Sequence, residues 1–224
     1  MKNTPNVIAI LIPARDFVNT GFAYDLARTV GFHVATTPDR VVLYTSSGTL
    51  LSSQRQDLAR DAIEAGCTHT LWLDSDMRFP KDVIARLLAR DEGIVAANYA
   101  KRRMPTEPIS AKLRTDDMEE SKVYRVYTEA DSTGLEEVDY TGMGVMLVKR
   151  EVYEKMEEPW FAIPWNTTVK DFLGEDVFFC RRARENGFKT YIDHDLSKQV
   201  YHIGSFEFKH EHTWACREAS NGDD

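Results

Sequence analysis

The sequence predicts an α/β fold: a mostly parallel sheet with helices on both faces and a smaller antiparallel part. Three observations predict it. Short apolar runs alternate with helical segments through the first half of the chain, the rhythm of parallel strands joined by crossover helices. The first of those runs, Val7–Pro13, is continuously apolar, as a strand buried on both faces requires. Farther on, Lys122–Thr128 alternates apolar and polar residues, the pattern of a half-exposed antiparallel strand.

The elements follow in order. Thr20–Thr29 reads as a helix, and Val41–Thr45, β-branched and aromatic, as a second strand. Ser52 or Ser53 is placed to cap a helix that runs to Gly66, where glycine stops it. Thr70–Leu73 is the next strand. A helix from Pro80 or Lys81 to Arg90 follows, with Asp82 in a first turn whose dipole favours an acid. Ile94–Tyr99 closes the series. In the second half, Glu137–Asp139 leads into "YTGMGVMLVKREVYEKM", where Gly142 and Gly144 precede an apolar strand and a short helix. Residues 158–170 hold two prolines and two tryptophans with no period and read as a loop. "GEDVFFCRRARENGF" is a helix ended by Asn186-Gly187, and Tyr191–Ile192 and Gln199–His202 are short strands.

Composition bounds the rest. A chain of 224 residues, 42% hydrophobic and 29% charged, predicts one domain with a packed core. The apolar run Val7–Leu11 is too short for a membrane span or a signal segment, so no membrane is expected. Cys67, Cys180 and Cys216 are far apart without metal spacing, which suits a reducing, cytoplasmic setting. The net charge of −8 is uneven: residues 115–140 carry nine acids against Lys122 and Arg125. Just upstream, Lys101, Arg102, Arg103, Lys112 and Arg114 form a basic cluster, so the global charge excludes little about partners.

The chemistry centres on "LWLDSDMRFP". Asp74 and Asp76 follow a buried strand at the carboxyl end of a sheet, where α/β folds bind ligands. In an extended chain residues two apart point the same way, and two close carboxylates call for a cation between them. A hard ion with oxygen ligands, Mg²⁺ or Mn²⁺, meets that need and shares its coordination with phosphates. The alternative is that both acids only cap the next helix. Downstream, Asp176 shares a helix face with Phe179, Cys180 and Ala183, an inward position better suited to a general base than to a solvated acid. Glu175 sits beside it. Arg55 shares its helix face with Ala59 and Ala62, an odd place for an unpaired charge. His202, in "VYHIG", reads alone as a core histidine.

"LWLDSDMRFP" followed by "GEDVFFCRRARENGFKTYIDHDLSKQVYHIG" resembles nucleotide-sugar glycosyltransferases of the glycosyltransferase-A (GT-A) fold, most closely the family-2-like, inverting enzymes, including short bacterial and bacteriophage versions. The resemblance runs from about Val7 to Gly204. It implies a single GT-A-like catalytic domain over residues 1–216, with a Rossmann-like nucleotide-binding half (1–100), an acceptor half (101–216) and a polar tail at 217–224. For a phage-encoded protein the setting would be the host cytoplasm. The same resemblance assigns roles. Pro13 and Arg15 lie in the loop that holds the nucleoside, and Arg55 occupies the basic position on the helix before the D-x-D strand. Asp74, with Ser75 beside it, faces the ribose or the metal's water shell. Asp76 ligates the metal, Mn²⁺ or Mg²⁺, and His202 completes that site. Gly142, Met143 and Gly144 line the donor sugar and the acceptor. Asp176 is the base and Glu175 its neighbour. The donor implied is a UDP-sugar.

Two departures stand out. The early nucleoside-binding acid has no clear counterpart, with Asp39 and Asp16 both open. "KHEHTWAC", with His210, His212 and Cys216, falls outside the pattern. Trp160 and Trp165, ahead of the base, suit a platform on which an acceptor ring stacks, with core packing as the alternative. Lys101 and Arg102 are further acceptor-side candidates. With them the acceptor is a hydroxyl on a carbohydrate or, if the basic cluster meets phosphates, on hydroxymethylated DNA whose base leaves its stack. A sugar-phosphate nucleotidyltransferase and a non-catalytic nucleotide-sugar-binding module are the rival readings. The first would want a Gly-rich basic loop after the first strand, which "LIPARDFVNTG" poorly supplies. Oligomeric state is left open.

Overall fold

The computed structural model describes residues 4–103, 105–116, 119–167 and 170–205. In chain order the elements are β1 (Val7–Ala14), α1 (Thr20–Thr36), β2 (Arg40–Ser47), α2 (Leu51–Glu64), β3 (His69–Leu73), β4 (Met77–Arg78) and α3 (Val83–Leu88). Then come β5 (Ile94–Ala96), β6 (Ala111–Asp116), β7 (Glu119–Arg125), β8 (Leu135–Val138), β9 (Val145–Lys149) and α4 (Arg150–Lys155). The chain continues through β10 (Trp165–Asn166), β11 (Asp171–Phe172), α5 (Glu175–Glu185), β12 (Thr190–Asp193), α6 (His194–Ser197) and β13 (Tyr201–His202).

Seven strands form the central sheet in the order β2-β1-β3-β9-β5-β12-β8. β1, β2, β3, β5 and β12 run one way, while β9 and β8 run against them. Alternation along each strand divides the core in two. Ala9, Leu11, Trp72, Ile94, Ala96, Met146 and Val148 face α2, α4 and α5. Ile8, Ile10, Leu71, Leu73, Val95, Val145 and Leu147 face α1 and α3. Helices therefore cover both faces, and continuous apolar strands are what a sheet buried on both sides requires.

Two connections that run in opposite directions on opposite faces position the site. α1 carries the chain from β1 outward to β2 on one face, and α2 carries it back to β3 on the other. β1 and β3 thus part at a topological switch point, and the loops at their carboxyl ends open a crevice there.

Several boundaries differ from the sequence reading. α1 runs on to Thr36, because its inward face carries Asp25, Thr29 and His33, polar residues that hide the apolar period. Asp25 accepts from Arg78 Nε at 2.5 Å and His33 meets Asp39 at 3.2 Å, so both side chains are paired rather than solvated. Neither Ser52 nor Ser53 caps α2, which begins at Leu51 without a side-chain cap bond. Gly66 does take a left-handed conformation just past its end, φ 79°. α3 and β5 are shorter than expected. β9 enters antiparallel between β3 and β5, a position no local pattern announces. Residues 158–170 are not wholly loop, since β10 pairs with β11 as a small hairpin. β6, β4 and α6 had no signal in the sequence reading; β6 pairs with β7. Among the described residues no helix is long and apolar enough to cross a membrane.

Candidate functional site

The site is built where β3 ends. Thr70 to Leu73 are fully buried, and the chain then turns, with the Met77 amide donating to the Asp74 carbonyl at 3.1 Å. That turn overrides the alternation expected of an extended chain. Asp74 and Asp76 turn to different arginines, Arg55 and Arg102. The turn is pinned from outside by the Asn19 amide, which donates to the Ser75 carbonyl at 3.0 Å. Asn19 also caps α1.

Asp76 faces the late strand. β13 pairs antiparallel with β4, and the Ile203 amide donates to the Asp76 carbonyl at 2.8 Å. His202 arrives with its Nε2 3.6 Å from Asp76 Oδ1. Its Nδ1 lies 3.0 Å from the carbonyl oxygen of Ala100, which can only accept. Nδ1 therefore donates to that carbonyl, which leaves Nε2 facing Asp76. Arg102 Nη1 pairs with Asp76 Oδ2 at 2.7 Å. Burial works to raise the Asp76 pKa, but His202 and Arg102 outweigh it, and the carboxyl lies below its ordinary value. Arg102, expected on the acceptor side, thus belongs to the D-x-D turn.

Asp74 faces α2. Arg55 is only 2% exposed, a guanidinium inside the core, set over the Trp72 ring at 5.3 Å. Its Nη2 donates to Asp74 Oδ1 at 2.9 Å and its Nε to Glu175 Oε1 at 3.2 Å. Nη1 has no hydrogen-bond partner among the described residues. Burial alone would lower the Arg55 pKa; the charges of Asp74, Glu175 and Asp176 outweigh it and the net shift is upward. Arg55 is therefore enclosed, which does not suit the nucleotide-sugar contact expected of it.

Glu175 and Asp176 open α5. Phe179, Cys180 and Ala183 are buried as the helical period requires. The Asp176 carboxylate folds back so that Oδ1 accepts from the Val177 amide at 2.7 Å. Gly174 leaves it room: a Cβ there would stand 2.7 Å from that oxygen and would have to displace it. Burial, and then the charge of Glu175, push the Asp176 pKa up to about 6. At neutral pH the group is ionised but readily protonated.

Pro13, Arg15 and Ser75 do converge. Together with Ala14, Gly48, Thr49, Leu51 and Gln54 they line an open cleft of about 450 Å³, within the range of ligand sites. Gly48, Thr49, Leu51 and Gln54 were missed; "SSGTLLSS", a turn between a strand and a helix, is the signal that could have found them. Arg15 pairs loosely with Asp16, 3.5 Å away, at this edge of the sheet. Asp39 is excluded from the cleft, because it precedes β2, at the amino end of the strands, and binds Asn6 and His33.

Other assignments are corrected. Met143 is 1% exposed and packs in the core, so it lines no open site. The space above Gly142 and Gly144 belongs to Tyr99, whose hydroxyl accepts from the Gly144 amide at 3.0 Å. A Cβ at Gly142 would meet that hydroxyl at 2.2 Å. Trp160 is a core residue, 6% exposed, with Nε1 donating to the Met156 carbonyl at 3.0 Å. Trp165 is open, 53% exposed, and edge-on to Phe172 at 5.2 Å in the hairpin that leads into α5. Lys101, Arg102, Arg103 and Lys112 of the basic cluster are paired internally. Lys101, Arg103 and Arg125 surround Glu107, Lys112 pairs with Glu136, and Arg181 with Glu185. His210, His212 and Cys216 lie outside the described residues, as does the tail.

Among the described residues, no three His, Cys, Asp or Glu side chains surround a point where an ion could sit. Asp76 and His202 are the pair whose donor chemistry suits a divalent ion. Mg²⁺ and Mn²⁺ are commonly held by one or two protein groups with phosphate and water filling the remainder, so the pair fits such an ion bound together with a diphosphate.

No protein-family model and no curated protein matches the sequence. Solved structures do resemble the fold. A197 from STIV is 17% identical with a TM-score of 0.54, covering 92% of this chain and 99% of its own. GalNAc-T7, solved with UDP, GalNAc and Mn²⁺, is 12% identical with a TM-score of 0.52, over 92% of this chain and 45% of that one. TarS 1–349 of S. aureus, in complex with UDP-GlcNAc, is 13% identical with a TM-score of 0.50, over 92% of this chain and 60% of that one. At such identities the likeness establishes the fold, which is GT-A-like.

Proposed function

We propose that the chain is a metal-dependent glycosyltransferase that moves a sugar from a nucleotide-sugar donor, a UDP-sugar by preference, to a hydroxyl acceptor with inversion. The observation that carries this reading is the joining of the D-x-D turn after β3 to the Glu175-Asp176 turn of α5 through Arg55. One end of the sheet thereby holds a phosphate-side acid pair and a tuned carboxylate together. Two of the similar structures were solved with UDP or a UDP-sugar, which supports the donor class.

In this reading the nucleoside lies in the cleft lined by Pro13, Arg15, Gly48, Gln54 and Ser75. Asp76 and His202 would hold Mn²⁺ or Mg²⁺, which when bound supplies positive charge to the departing diphosphate. Asp176 accepts the proton of the acceptor hydroxyl as that oxygen attacks the anomeric carbon from the face opposite the leaving group. Its pKa of about 6 suits the task. The carboxylate is present at neutral pH and is a stronger base than an exposed aspartate. Arg55 and Glu175 touch no substrate here. The exposed Trp165–Phe172 pair supports a carbohydrate acceptor, whose apolar ring face stacks on an aromatic. Internal pairing of Lys101, Arg103 and Lys112 gives duplex DNA less to hold.

The test is release of UDP from a panel of UDP-sugars, with Mn²⁺, Mg²⁺ or excess EDTA, and calorimetric binding of UDP under the same conditions. Binding that needs the metal, with turnover of at least one donor, is expected. UDP binding unchanged by EDTA would remove the metal, and no binding or turnover of any nucleotide-sugar would remove the function.

A further inference from the structure

We propose that Arg55 is a positioning residue: by gripping Asp74 and Glu175 in one buried fork, it fixes the first turn of α5 against the donor end of β3. The inference rests on the transferase reading for its consequence, but its geometry stands independently.

Three elements meet at this guanidinium. α2 supplies it, the end of β3 supplies Asp74, and the first residue of α5 supplies Glu175. No strand pairing joins α5 to β3, so the sheet does not set their spacing. The body of α5 is anchored in the core by Phe179, Cys180 and Ala183, yet its first turn has no such anchor. The N-cap position is Gly174, which offers no side chain to the free amides. Arg55 on Glu175, the Asp176–Val177 bond and the Phe178 amide donating to the Gly174 carbonyl at 2.9 Å hold that turn, and of these Arg55 is the one that ties it to another element.

The chemistry of the side chain matters. A guanidinium is a planar fork whose separate donors reach two carboxylates at fixed angles, whereas a lysine is a single point of charge. Burying a cation is unfavourable unless it is fully paired. Two carboxylates hold this one, at 2.9 and 3.2 Å, with Nη1 still unbonded among the described residues. Such a group is poorly explained as packing and too enclosed to touch a donor. Its product is a defined distance between the diphosphate side of the site and the base. A shift of about 1 Å in such a distance can cost about 10²-fold in rate.

The test compares wild type with Arg55→Lys, Glu175→Ala and the double variant. Hydrogen exchange needs no substrate. Amides 175–178 should exchange faster in each variant, while those of the α5 body stay protected. In turnover, kcat should fall by about 10²-fold in Arg55→Lys, while the Kd for UDP with Mn²⁺ changes by less than about threefold. The double variant should lose no more than the worse single one, as residues acting through one contact do. Unchanged exchange at 175–178 in Arg55→Lys would overturn the proposal, as would a donor Kd that weakens in step with kcat. Glu175→Ala leaves α2 untouched, so it decides the matter even if Arg55→Lys folds poorly. Should wild type turn over no nucleotide-sugar while the exchange effect appears, the positioning role stands and the transferase reading alone fails.

Discussion

Asp76 and His202, from opposite halves of the chain, stand side by side, with His202 Nε2 3.6 Å from Asp76 Oδ1 and Nδ1 tied to the Ala100 carbonyl. A ring whose second nitrogen is fixed in this way is oriented before any ligand arrives. Asp76→Ala should therefore abolish Mn²⁺-dependent UDP binding. His202→Ala should weaken it less, since Asp76, phosphate and water still hold the ion. Arg102 competes for the same carboxylate, so Arg102→Ala should tighten Mn²⁺ binding when no nucleotide is present. Free Mn²⁺ measured by electron paramagnetic resonance reads all three. Equal Mn²⁺ affinity in wild type and Asp76→Ala would end the assignment.

Asp176 gives a pH prediction with a definite sign. The base must be ionised, so kcat/KM should rise tenfold per pH unit below about 6 and level off above it, the value that burial and Glu175 impose. Asp176→Asn should keep UDP binding and lose transfer by about 10²-fold or more. Near-normal turnover in that variant would shift the role to another group.

The same shift has a consequence for stability. A carboxyl whose pKa is higher folded than unfolded favours the native state below its unfolded value, about 3.9, and loses that contribution as pH rises to about 6. Ionised Asp176 is thus a burden on the fold at neutral pH. Asp176→Asn should be more stable than wild type at pH 7.5, by up to about 2 kcal/mol, and the gap should close near pH 4. Thermal denaturation at the two pH values measures it, and a variant less stable than wild type at pH 7.5 would contradict it.

Gly174→Ala tests how Asp176 is held. The backbone at 174 is ordinary extended chain, φ −61° and ψ 150°, so alanine adds no backbone strain. Its Cβ, however, would stand 2.7 Å from Asp176 Oδ1 and must displace the carboxylate. Transfer should fall by about tenfold or more, with the melting temperature little changed. Unaltered kcat would mean that the folded-back conformation of Asp176 does not matter.

What the sequence disclosed follows from how local each signal is. Val7–Pro13 and Leu71–Leu73 announce buried strands because an unbroken apolar run needs no partner to be recognised. Asp176 was legible as inward-facing because Phe179, Cys180 and Ala183 repeat at the helical period beside it. Asp25 and His33 had the opposite effect, since buried polar groups interrupt that period and are explained only by distant partners, Arg78 and Asp39. Arg55 was noticed as an odd charge on an apolar face, but its partners Asp74 and Glu175 come from other elements and could not be read locally. Trp160 and Trp165, five residues apart in the same aperiodic stretch, look alike in sequence. Their opposite fates are decided by Tyr153 and Met156 beneath one and by the β10–β11 hairpin under the other.

That contrast supplies the last prediction. Trp160 packs on Tyr153 with ring centres 5.1 Å apart and its indole N–H is bonded, so Trp160→Ala opens a core cavity and should cost about 3–5 kcal/mol of stability. Trp165, 53% exposed, meets Phe172, 64% exposed, and neither ring is sealed from water. Trp165→Ala should therefore move stability by no more than about 0.5 kcal/mol, the range of ordinary surface changes. If the pair is an acceptor platform, Trp165→Ala should raise the acceptor KM by about tenfold, since ring stacking contributes about 1–3 kcal/mol. Hydrolysis of the donor in the absence of acceptor should stay as it was. The assay offers labelled UDP-sugar with simple glycosides and, separately, with hydroxymethylated duplex DNA. Label on glycosides that fades with Trp165→Ala places the acceptor on the hairpin. Label on DNA, with a rate falling steeply as salt rises, would instead mean that phosphate contacts outweigh the internal pairing of Lys101, Arg103 and Arg125 with Glu107. An acceptor KM indifferent to Trp165→Ala would leave the exposed rings without a part in acceptor binding.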